Sequence, residues 1–77
     1  MWPTMSEIEL KPVKSTNIAK IGHDEKTEEL QIEFKDGAVY AYDGVPAFAH
    51  RELIEAKSIG GHFHKLIKSK YKFRKVK

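Results

Sequence analysis

The residues best equipped for chemistry lie near the C-terminus. The stretch "KLIKSKYKFRKVK" interleaves Lys65, Lys68, Lys70, Lys72, Arg74, Lys75 and Lys77 with Tyr71 and Phe73. Lysine and arginine suit contacts to phosphate and sugar, which make up roughly half to two-thirds of protein–DNA hydrogen bonds. Aromatic rings between them suit base stacking. The spacing therefore predicts an anion- or nucleic-acid-binding segment carried by Lys65, Lys68, Lys70, Lys72, Arg74 and Lys75, with RNA the favoured partner. The same run also fits a solvated helix face ending in a frayed tail.

A second group surrounds Gly60-Gly61. Glycines ahead of a helix expose backbone N–H groups, and a helix start favours anions. A phosphorylated small molecule, such as a nucleotide signal, would then meet Gly60, Gly61, His62, His64 and Arg51, with its base beside Tyr40 or Tyr42. Alternatively, the two glycines only turn the chain between helices. Of the four histidines, His62 and His64 point about 200° apart on a helix, and no HxxxH or HxxE pair reinforces them, so no metal site is expected. Ser58 has His62 four residues on but no orienting acid. Neither catalysis nor a cofactor is expected, and the chain reads as a binding module rather than an enzyme.

Whole-chain properties narrow the partners. Residues 1–55 hold all 11 acids and 6 basic residues, a net −5, whereas residues 56–77 hold 8 basic residues and no acid, a net +8. A one-signed segment attracts polyanions by counterion release. Seventy-seven residues make one domain with a small core, so a deep pocket would call for a homo-oligomer. Cysteine is absent, which removes disulfides and thiolate chemistry. No apolar run approaches the roughly 20 residues of a membrane span, and "MWPTMSEIEL" does not resemble a signal peptide. A soluble cytoplasmic protein is expected.

These groups need elements to position them. Residues 1–13, punctuated by Pro3 and Pro12, read as a flexible N-terminal arm in which Trp2 docks or stays exposed. Residues 14–77 read as a single domain. "STNIAKIGHD" contains a short strand, and "LQIEF" alternates strictly, with Leu30, Ile32 and Phe34 on one face. "KDG" signals a hairpin into "AVYAY". Pro46 suits the first position of a helix over "PAFAHRELIEAK". Phe63, Leu66, Ile67 and Tyr71 form one apolar stripe of a second helix, and "YKFRKVK" fits a short strand or a tail. The expected fold is α+β: a three-stranded antiparallel β-meander followed by two short helices packed on one sheet face, in the order β-β-β-α-α.

The ordered set Ile21-Gly22-His23-Asp24, Leu30-x-Ile32-x-Phe34-x-x-Gly37, Tyr40-x-Tyr42-x-x-Val45-Pro46 and Ala56-x-Ser58-x-Gly60-x-x-Phe63-His64-x-x-Ile67-x-x-x-Tyr71 resembles the KTSC domain. That family takes its name from the C-terminus of some lysyl-tRNA synthetases and includes small stand-alone bacterial and phage proteins. The resemblance spans roughly residues 13–73 and implies a KTSC-like domain over 14–77, with an RNA-binding role suggested by the synthetase context. Two positions depart from the pattern: His23 stands in place of a tyrosine and His64 in place of an asparagine. An adaptor that docks on an acidic protein partner is the third functional reading.

The direction of Tyr40 and Tyr42 hangs on one residue of register. A two-residue loop at Asp36-Gly37 would put both on the polar face, where they would form a stacking platform. A three-residue loop would pair Ile32 with Tyr40 and Leu30 with Tyr42 and so send both rings into the core. Lys-Asp-Gly favours the second, because it suits a type I turn followed by a glycine bulge.

Overall fold

Hydrophobic alternation builds the sheet from its middle outward. In the computed structural model, which describes residues 8–76, β2 (Ile18–Asp24), β3 (Glu29–Phe34) and β4 (Val39–Tyr42) pair antiparallel in chain order. Leu30 and Ile32 point inward and are fully buried, with Gln31 and Glu33 on the opposite face. The β3–β4 loop is the three-residue kind. Phe34 N–H donates to the Ala38 carbonyl at 2.8 Å, Gly37 N–H donates to the Phe34 carbonyl at 2.9 Å, and Gly37 takes φ 96°. Leu30 therefore faces Tyr42 and Ile32 faces Tyr40, placing both tyrosines on the core side.

Two further strands correct the expected count of three. β1 (Lys11–Pro12) pairs with Ile21 and Lys20 of β2, and β5 (Phe73–Lys75) pairs with β4. The sheet is five-stranded, in the order β1-β2-β3-β4-β5. At two and three residues these edge strands are too short to print a period on the sequence. Pro12 is tolerated because an edge has ladder positions that require no N–H. Lys11 and Pro12 thus belong to the sheet. The arm reading of residues 1–7, Trp2 included, lies outside the described residues, as does Lys77.

The helices differ from expectation in their boundaries. Helix α1 (Ala47–Ile54) starts one residue late: Pro46 is its cap, extended at ψ 161°, and its carbonyl accepts from the Ala49 and His50 N–H groups. Helix α2 (Ile59–His62) runs directly into a π-helical segment, Phe63–Lys68. The break between helices falls at residues 55–58, so Gly60 and Gly61 sit inside the first turn of α2 rather than between helices. A Cβ on Gly60 would stand 2.8 Å from Asn17 Oδ1; the glycine permits close approach of the loop before β2.

Ile59, Phe63 and Ile67 are buried, four residues apart, with Tyr71 half-buried beyond them. On an α-helix, steps of four drift by about 40° each. The wider π turn reverses that drift and keeps every fourth residue inward. Leu66, expected in the stripe, is 48% exposed as a result. Ala49 and Leu53 of α1 join Val45, Ile59, Phe63 and Ile67 over Ile18, Ile21, Leu30, Ile32 and Tyr42 to make the core. The opposite sheet face is approached near Gly22, where a Cβ would lie 2.5 Å from the Glu9 carbonyl oxygen.

Candidate functional site

The C-terminal cations are exposed but do not share one face. Lys65 and Lys68 lie on the π-helical segment, Lys70 and Lys72 on the turn into β5, and Arg74 and Lys75 on β5 itself. Arg74 stands opposite Ala41, on the sheet face away from the core. Its Nη1 reaches Asp43 Oδ1 at 2.9 Å and its Nη2 lies 3.4 Å from Glu29 Oε2. The hydrogen bond to Asp43 and the charges of Glu29 and Asp43 hold its guanidinium proton still more firmly than usual. The other five cations form no ion pair among the described residues. Phe73 is 55% exposed beside them.

Tyr40 and Tyr42 belong to an aromatic cluster rather than to a ligand pocket. Tyr42 meets Phe63 edge-on at 5.4 Å between centroids, and Phe73 lies 5.6 Å from Tyr42 and 5.9 Å from Tyr40. Burial, with Tyr40 adding to it, pushes the Tyr42 phenol above its ordinary value. Neither tyrosine lines the principal depressions. Arg51, exposed on α1, and half-buried His62 do not line them either.

The principal cleft lies instead between the β1–β2 edge and the α1–α2 connection. It consists of two adjoining depressions of about 720 and 650 Å³ that share Lys14, Lys57 and Ile59. The first is walled by His23 and His50, by Lys11, and by apolar Ile21 and Ile54. The second adds the hydroxyl and amide side chains of Ser15, Thr16 and Asn17, with His64, around Gly60 and Gly61. Ser15 Oγ organises that loop by accepting from the N–H groups of Asn17 and Ile18 at 3.4 and 3.3 Å. The Gly61 N–H is spent on Ser58 Oγ at 3.2 Å, so Ser58 is a helix cap and Gly61 offers no free donor to an anion. Of the group predicted around the glycines, Gly60, Gly61 and His64 come together; Arg51, His62 and the tyrosines do not join them.

The two histidines in the first depression are stacked, with ring centroids 4.8 Å apart and planes 10° from parallel. The His23 Nε2–H donates to the Val45 carbonyl at 2.7 Å, which fixes the ring. Burial, aided by the His23 ring, pushes His50 below the ordinary imidazole value, against the pull of Glu25. Sequence reasoning missed Lys11, Lys14, Lys57 and the His23–His50 pair, because they come from four separate stretches of chain. The one local signal was His23 standing in place of a tyrosine. Among the described residues, no three His, Cys, Asp or Glu side chains are grouped to hold a metal ion. No helix among them is long and apolar enough to cross a membrane.

A five-stranded antiparallel sheet with two short helices over one face defines a small α+β domain. The chain belongs to the KTSC domain family, whose model matches residues 14–71. It is 43% identical over 67 residues to a lysine–tRNA ligase of Nostoc punctiforme; the match covers 87% of this chain and 12% of that protein. It is also 34% identical over 59 residues to an uncharacterized protein of Stutzerimonas stutzeri, covering 77% of this chain and 83% of that one. Among solved structures it resembles a KTSC domain protein of Yersinia pestis, with TM-score 0.88, 37% identity, and coverage of 92% of this chain and 100% of that one.

Proposed function

We propose that this protein is a non-enzymatic binding module for phosphate-bearing ligands, and that it holds single-stranded nucleic acid, RNA favoured, through its C-terminal cations. The observation that carries this reading is the set of five exposed lysines, Lys65, Lys68, Lys70, Lys72 and Lys75, which form no ion pair among the described residues, with exposed Phe73 in the same segment. Ammonium groups of this kind release counterions from a phosphate backbone, and a neighbouring ring gives a base something to stack on. The occurrence of the same domain within a lysine–tRNA ligase supports RNA over DNA. Arg74, committed to Asp43 and Glu29, is left out of the contact set.

Fluorescence anisotropy with a labelled 12-nucleotide RNA tests the reading. Each phosphate contact to a single strand contributes about 0.7 to the slope of log K against log salt, so five lysines give a slope of roughly −3 to −4. A slope near zero, or no binding at low salt, contradicts it and favours a protein partner instead.

A further inference from the structure

We infer that the two-part cleft between the β1–β2 edge and the α1–α2 connection is a binding site for one nucleotide unit, its phosphate in the polar half and its base in the half walled by the stacked His23 and His50 rings. The inference rests on the phosphate-binding reading above, but it stands on residues outside the C-terminal segment. Three observations carry it.

The halves adjoin across Lys14, Lys57 and Ile59, which line both, and differ in the side chains each adds. The polar half brings Lys14, Lys57 and His64 together with hydroxyl and amide groups of residues 15–17. The other half offers two nearly parallel imidazoles and aliphatic walls from Ile21 and Ile54, with Glu9 and Lys11 on its β1 side. A ligand that is anionic at one end and flat at the other matches that division, and a nucleotide is such a ligand. Aromatic rings stack on one another in offset parallel arrangements like that of the two imidazoles, so a purine or pyrimidine can extend the pair.

The two halves are also held in place. His23 is pinned by its bond to the Val45 carbonyl. The loop carrying Ser15 and Asn17 is tied by its own hydrogen bonds and lies close against Gly60. A ligand would meet a formed site, which lowers the cost of binding.

Finally, the polar half leads toward the basic segment. His64 lines it, and Lys65 and Lys68 follow on the same helical run. A strand whose terminal nucleotide occupied the cleft would continue along those lysines. The same chemistry fits a free mononucleotide.

Calorimetric titration of the full chain with adenosine 5′-monophosphate and with ribose 5-phosphate tests the inference. One-to-one binding is expected, with the nucleotide tighter by about tenfold from base stacking. His50→Ala should erase that difference and His50→Phe, which keeps a flat ring, should retain it. Lys14→Glu with Lys57→Glu should weaken both ligands by tenfold or more. Thermal melts of each variant separate lost binding from lost folding. Equal affinity for the two ligands, or nucleotide binding unmoved by the lysine reversals, overturns the inference. A 12-nucleotide RNA distinguishes the sources: weakening by the same reversals places a strand end in the cleft, and strand binding that ignores them restricts the cleft to free nucleotide. Failure of the nucleotide to bind, with salt-dependent RNA binding intact, sinks the cleft and leaves the proposed function standing. Nucleotide binding without RNA binding does the reverse.

Discussion

The C-terminal segment gathers six cations between positions 65 and 75, whereas the cleft draws its three lysines from positions 11, 14 and 57. In sequence the first looks like a site, whereas of the second only Gly60, Gly61 and His64 stand out. In the fold the relation partly inverts. The helical run, the turn and β5 send neighbouring cations to different surfaces, and β5 hands Arg74 to two carboxylates on the far face of the sheet. The cleft collects residues from the β1–β2 edge and the helix connection into one concave wall. Density of charge along a chain therefore predicts long-range attraction to a polyanion, which sums over all cations. A shaped contact needs convergence, which only the fold supplies. The two regions are expected to divide the work, with affinity from the segment and selectivity from the cleft.

The largest expected effect removes the first region. Replacing Lys65, Lys68, Lys70 and Lys72 together with alanine should cut the salt slope of RNA binding by about 3 and weaken binding roughly a hundredfold at low salt. Anisotropy across a potassium chloride series reads both quantities. An unchanged slope would mean that the segment is only a solubility device and would dissolve the contrast between the regions.

A smaller effect concerns the cleft wall. His50 has a folded-state value below the ordinary 6.5, so the unfolded chain takes up its proton first as pH falls. Its contribution to stability is therefore complete above pH 6.5 and is lost as pH falls from there through the lower folded value. Urea melts across that range should show stability dropping toward acid, and His50→Phe should flatten the part of the drop due to this ring. If the variant's pH dependence matches that of the wild type, the ring is not held in the environment described.

The smallest effect sharpens the contrast from within the segment. Arg74→Gln should leave the salt slope for RNA within about half a contact of wild type, because Asp43 and Glu29 already engage that charge. A decrease as large as that from one of the lysines would return Arg74 to the binding surface.

Much of the fold was legible, for identifiable reasons. Lys35-Asp36-Gly37 set the hairpin register because only glycine takes φ 96° readily, and that register turned Tyr40 and Tyr42 inward. β1 and β5 escaped because two or three exposed residues carry no period. Leu66 faces outward because the chain widens into a π turn, where a regular helix would keep it in the apolar stripe. The site was less legible. Gly60-Gly61 and His64 suggest a helix-start anion site in sequence, yet Ser58 takes the Gly61 N–H and Gly60 matters for the approach of Asn17. His23 and His50 lie 27 positions apart and stack only because β2 and α1 meet over Val45.

The proposal that the C-terminal cations form the binding surface is tested most directly by nuclear magnetic resonance of the ¹⁵N-labelled chain, titrated with the 12-nucleotide RNA at low salt. Amide shifts should concentrate at residues 64–72 and extend to Lys14, Lys57 and Gly60, while Gln31 and Ala41 on the far face stay still. Shifts centred on Gln31, Ala41 and Arg74, or no shifts at saturating RNA, would contradict it.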